Sequence, residues 1–68
     1  MNVTVNGQRR ELEERASVRE VVEVTGAAPD ARGLAVAVDG EVVPRGRWEA
    51  TTLQDGQRVE IVQAVQGG

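Results

Sequence analysis

The hydroxyls of Ser17, Thr4, Thr25, Thr51 and Thr52 are the only ordinary side-chain nucleophiles in this sequence of 68 residues. Nothing stands beside them to activate them. The chain has no Cys, no His and no Lys, and all eight of its basic residues are Arg. A hydroxyl without a neighbouring base is a weak nucleophile at neutral pH. Thiolate chemistry, disulfides and imidazole ligation of a metal are excluded by composition. Eleven carboxylates remain, but a chain this short hardly encloses a substrate pocket and still keeps a core. The reading is therefore of a protein that is not an enzyme and that binds no metal and no stable cofactor.

One main-chain group stands out against that background. The sequence closes on Gln66-Gly67-Gly68. Neither glycine carries a Cβ, so the backbone can thread a narrow cleft and take angles closed to other residues. A carboxylate on Gly68 is sterically bare. It is open to attack on a nucleotide phosphate and, once activated, to a sulfur nucleophile. Three extended residues reach roughly 10 Å, enough for a partner to hold the folded body outside while chemistry proceeds inside.

Such an end needs a body to carry it, and the rest of the sequence specifies one small domain, residues 1–65, with 66–68 as a flexible tail. Thirteen Val against three Leu and one Ile favour strands, because branching at Cβ suits a pleated surface. Met1, Val3 and Val5 alternate with Asn2 and Thr4, which predicts a strand with the odd positions inward. Asn6-Gly7 is a two-residue hairpin signal. It leads into a weak partner strand, Gln8 to about Glu13, expected at a sheet edge.

Ser17-Val18-Arg19-Glu20 has the form of a capping box. Val18, Val21, Val22 and Thr25 follow at helical spacing, and Gly26 is placed to end the helix. A helix over Val18 to Thr25 is predicted, in preference to a strand over 21–25. Leu34, Val36 and Val38 alternate with Ala35 and Ala37. Asp39-Gly40 then turns the chain into Glu41-Val42-Val43, and Pro44 stops that strand. Residues 45–57 read as irregular, anchored to the core by Trp48 and Leu53. Residues 58–65 form the last strand, with Val59 and Ile61 inward.

The predicted class is α+β. The apolar stripe of one short helix packs across one face of a four- to five-stranded mixed sheet, with first and last strands parallel and adjacent. This order of elements is that of the β-grasp, or ubiquitin-like, fold. Ala35, Ala37, Val62 and Ala64 would point away from the helix and form a shallow apolar patch, a candidate docking face. Arg45, Arg47 and Arg58 could steer an acidic partner.

Charge and hydropathy point the same way. The formal net charge is −3, and one Trp supplies the only aromatic ring, so no stacking platform for bases exists. Neither nucleic acid nor membrane is expected as a partner. With no signal peptide at its start the chain is placed in the cytoplasm, as a monomer when alone.

The sequence resembles the ThiS family of ubiquitin-like sulfur carrier proteins of thiamine biosynthesis. The resemblance covers essentially the whole chain. It rests on Met1-Asn2-Val3-Thr4-Val5-Asn6-Gly7, on Val43-Pro44-Arg45 followed by Trp48, and on Leu53-Gln54-Asp55-Gly56-Gln57-Arg58-Val59-Glu60-Ile61-Val62 with Val65-Gln66-Gly67-Gly68. The family commonly has Asp where Gln57 stands, a departure expected to be mild. The resemblance implies a protein substrate. A ThiF-like enzyme would use ATP to adenylate Gly68, and a sulfur donor such as a cysteine desulfurase would convert it to a thiocarboxylate. A ThiG-like thiazole synthase would then take the sulfur, with Gly67 and Gln66 giving access. A carrier for molybdopterin or another sulfur metabolite, a protein modifier, and an interaction domain with an incidental diglycine are the alternatives.

Overall fold

A computed structural model describes residues 1–28 and 32–63. The chain begins as a hairpin of β1 (Asn2–Val5) and β2 (Gln8–Glu11), whose strands are antiparallel with Val5 opposite Gln8. That register leaves only Asn6 and Gly7 for the turn, with φ of 48° and 82°. Positive φ at both positions is the type I′ geometry that matches strand twist, and Asn-Gly tolerates it best. The device recurs between β3 (Leu34–Val38) and β4 (Glu41–Val43), where Asp39 and Gly40 have φ of 50° and 85°.

Between the hairpins lies α1 (Val18–Val24). Ser17 caps it, accepting from the Glu20 N–H at 3.2 Å. The Glu20 carboxylate meets the Ser17 hydroxyl at 3.5 Å rather than the Ser17 N–H, so the capping box is only half formed. Thr25 is the C-cap rather than the last helical residue, and Gly26 follows in the left-handed region at φ 87°. β2 stops at Glu11, two residues short of the predicted end. Leu12, half-buried, still donates its N–H to the Met1 carbonyl at 2.8 Å.

β5 (Arg58–Gln63) completes a five-stranded sheet in the order β2-β1-β5-β3-β4. It is parallel to β1, with Thr4 opposite Arg58 and Val5 opposite Val59, and antiparallel to β3 from Leu34–Gln63 to Val38–Val59. First and last strands are thus adjacent and parallel, and the weak strand β2 lies at an edge, both as the sequence predicts.

Alternation sends Val3, Val5, Leu34, Val36, Val38 and Val59 to one face of this sheet, where all are buried. Val18, Val21 and Val22 of α1, each fully buried, belong to the same core cluster, as do Trp48 and Leu53. The stretch before β5 is less irregular than its sequence suggests. A single 3-10 turn covers Arg45–Arg47, and the Trp48 indole N–H donates to the Val43 carbonyl at 2.9 Å. The Val18 and Arg19 N–H groups donate to the Thr51 and Trp48 carbonyls at 3.0 and 3.2 Å. Together with the Ser17 cap these contacts satisfy three donors that a helix N-terminus leaves without intrahelical partners.

Candidate functional site

The predicted reactive residues Gln66, Gly67 and Gly68, and Ala64 of the docking face, lie outside the described residues. So does the boundary between body and tail at residue 65. The structure does show the strand that leads to them and the surface this strand carries.

Residues paired across a sheet share a face. β5 turns Val59 and Ile61 toward α1, so Arg58, Glu60 and Val62 lie on the opposite face. Val62 stands opposite Ala35, and Glu60 opposite Ala37. The structure therefore brings Ala35, Ala37 and Val62 together on one face. Ala37 also pairs with Val42 of β4.

Val42 was not among the residues predicted for this patch, yet it is its most exposed large side chain. It is 73% exposed, against 60% for Val62. The signal was present in the sequence. A two-residue Asp39-Gly40 turn forces Val38 opposite Glu41 and hence Ala37 opposite Val42. Val42, Ala37, Ala35 and Val62 form an apolar diagonal across three strands, with Glu60 beside it. The rest of this face is polar. A shallow concavity there is lined by Thr4, Asn6, Gly7, Arg58 and Glu60.

The arginines singled out from the sequence do not form one cluster. Arg45 holds its guanidinium 4.7 Å from the centre of the Trp48 ring, a cation–π contact within the turn that follows β4. Arg47 is exposed in the same turn, whereas Arg58 sits on β5 opposite Thr4. Trp48 is buried, with its indole N–H bonded to the main chain, so it is a core residue, as predicted, and not a stacking platform. Among the described residues no group of three or more His, Cys, Asp or Glu could hold a metal ion. No described helix is long and apolar enough to cross a membrane.

One helix across a mixed five-stranded sheet, with the first and last strands parallel at its centre, defines a β-grasp domain of the ubiquitin-like kind. The family within that class follows from comparison with known proteins. The ThiS family model matches residues 3–68, and the chain belongs to the ThiS family. It is 30% identical to the sulfur carrier protein ThiS of Escherichia coli K12 over 68 residues, covering the whole of both chains. The crystal structure of the thiamine biosynthesis protein ThiS from Geobacter metallireducens is similar at a TM-score of 0.81 and 36% identity, again over the whole of both chains. SAMP1 from Haloferax volcanii shares the fold, at a TM-score of 0.63 and 17% identity over 98% of this chain and 97% of that one.

Proposed function

We propose that this protein is a sulfur carrier of thiamine biosynthesis whose Gly68 carboxylate is adenylated and then converted to a thiocarboxylate. The observation that carries the reading is full-length similarity to a sulfur carrier in a chain that ends on Gly67-Gly68 and holds no Cys, His or Lys. With so little side-chain chemistry available, this reading assigns the reaction to the main-chain carboxylate of Gly68.

A carboxylate oxygen attacks the α-phosphorus of ATP, and pyrophosphate leaves. A sulfur nucleophile then attacks the carbonyl carbon of the mixed anhydride, and AMP leaves. With hydrosulfide the product is the thiocarboxylate. With a persulfide donor such as that of a cysteine desulfurase, the product is an acyl disulfide. A thiol then attacks the donor cysteine's sulfur, forming a disulfide with it and releasing the thiocarboxylate. A thiazole synthase takes the sulfur in the final step. Activation belongs to a ThiF-like adenylating enzyme, so ATP is that enzyme's substrate and the carrier itself binds no cofactor. Each of these partners reaches the end of the chain, which is why two glycines preceded by Gln66 suit the role.

The docking face is the apolar diagonal of Ala35, Ala37, Val42 and Val62. Its exposed valines lie on the face opposite α1, and Val62 belongs to the strand from which the tail departs. A partner seated there needs no rearrangement of the core. The proposed use of ATP and of a desulfurase supports a cytoplasmic reaction.

Intact-mass measurement tests the reading. With the cognate adenylating enzyme, ATP and a sulfur donor, the protein gains the mass difference of one sulfur for one oxygen. Deletion of Gly68 abolishes the gain and leaves the circular-dichroism spectrum and unfolding midpoint unchanged. A deletion variant that still gains sulfur overturns the assignment. Isopeptide-linked adducts on other proteins would identify a modifier instead.

A further inference from the structure

The parallel pairing of β1 with β5 ends at Val5 opposite Val59, because the chain turns away at Asn6-Gly7. β5 runs on to Gln63 with β3 beside it. Its main-chain groups alternate in direction. The Gln57 and Val59 carbonyls accept from Thr4 and Asn6 on the β1 side, whereas the Arg58 carbonyl accepts from Asp39 beside β3. By this alternation Ile61 presents its N–H and carbonyl to the side that β1 has already left, an open edge in the middle of a sheet.

The Asn6 side chain closes that edge. Its Oδ1 accepts from the Ile61 N–H at 2.8 Å, and its Nδ2 donates to the Ile61 carbonyl at 3.2 Å. Its own N–H donates to the Val59 carbonyl at 2.9 Å. A primary amide offers donor and acceptor side by side, as a peptide unit does. The carboxamide therefore stands in for the next residue of β1 and holds β5 two residues beyond the end of the ladder.

We propose that Asn6 is a positioning residue for the reaction at Gly68, one that fixes the point from which the tail is aimed. The proposal rests on the carrier function above. Ile61 stands seven residues before Gly68, at most roughly 25 Å of extended chain. Without the clamp the last anchor on the β1 side falls back to Val59, nine residues and at most roughly 32 Å away. Beyond Val59 the strand is then held on one side only, by its pairing with β3 out to Gln63. In-line attack on a phosphate demands close placement of the carboxylate, and an error of about 1 Å costs on the order of 100-fold in rate. The clamp binds only main-chain groups of Ile61. Ala35, Ala37 and Val42 of the apolar diagonal lie on β3 and β4, and Val62 on β5 stays paired with Ala35, so losing the clamp affects turnover more than docking.

Turn and clamp are separable at this residue. Asn6→Gly keeps the positive φ that the hairpin needs and removes the side chain. Asn6→Asp keeps the turn and the acceptor but loses the donor to the Ile61 carbonyl. The experiment measures ATP–pyrophosphate exchange by the cognate adenylating enzyme against the concentration of the full-length carrier. Amide hydrogen exchange at Ile61 and an unfolding curve accompany each variant.

The expected result for Asn6→Gly is a folded protein with a faster-exchanging Ile61 amide. Its kcat falls about tenfold or more while KM stays within about twofold, and Asn6→Asp lies between it and the wild type. Wild-type kcat in a variant whose Ile61 amide has lost protection overturns the proposal. A loss of kcat that tracks the unfolded fraction and vanishes on cooling overturns it too. A wild-type chain that supports no exchange overturns the carrier function itself, and this inference with it.

Discussion

Gln57 ties two turns together. Its Oε1 accepts from the Gln54 N–H at 2.7 Å, and its Nε2 donates to Asp39 Oδ2 at 3.3 Å. Asp39 Oδ1 meanwhile accepts from the Arg58 N–H at 2.9 Å, so the same carboxylate holds the start of β5. An Asp at position 57 would place a second carboxylate where an amide donor now meets the first. Gln57→Asp is expected to destabilise the protein by about 1 kcal/mol. Urea unfolding at low and high salt checks this: screening should narrow the gap if like-charge repulsion is the cause. From sequence alone this departure reads as a mild change in a turn, because Asp39 is eighteen positions away and no local pattern announces the contact. Arg15 is a second silent residue. Its φ of 65° puts a side chain in the left-handed region at a cost of roughly 1–2 kcal/mol. Arg15→Gly should raise stability by up to about 1 kcal/mol, seen as a higher urea midpoint at unchanged slope.

At the scale of elements, the signals that succeed are short-range ones. Asn6-Gly7 and Asp39-Gly40 each set a hairpin register, because few residues accept positive φ twice in succession. Ser17 and Gly26 bracket α1 and decide helix over strand for a valine-rich segment whose composition favours the opposite. Ser17→Ala should cost about 1 kcal/mol by thermal or urea unfolding. What stays hidden is how residues 45–57 join the helix. The bonds from Val18 and Arg19 to the Thr51 and Trp48 carbonyls cross some thirty residues and involve only main-chain atoms, which carry no sequence signature. The proposed docking face is intermediate. Alternation reveals Ala35, Ala37 and Val62, but Val42 emerges only when the hairpin register is followed across to β4. Val42→Glu and Val62→Glu, at positions 73% and 60% exposed, should shift stability by no more than about 0.5 kcal/mol. Each should raise the KM of the adenylating enzyme for the carrier with little effect on kcat. Unchanged KM in both would place docking elsewhere.

The whole molecule is a small domain with a core cluster built mainly of valine. Trp48 is its one aromatic member, buried under the turn that follows β4. Small domains bury a modest fraction of their surface and have little stability to spare. Trp48→Ala removes the largest core side chain at an expected cost of about 3–5 kcal/mol. It should leave the protein largely unfolded at ambient temperature, by circular dichroism and loss of amide protection. This body is sufficient for its role because the chemistry is not asked of its side chains. On the proposed carrier function the reactive group is the carboxylate of Gly68, and the folded residues offer β5, which precedes it in the chain, and an exposed apolar face. The central claim is that sulfur ends on that glycine. After incubation with the adenylating enzyme, ATP and a sulfur donor, tandem mass spectrometry of the C-terminal peptide should place the oxygen-to-sulfur mass shift on Gly68 alone. A shift on any other residue, or no shift while the same enzyme charges a ThiS protein known to be active, would contradict it.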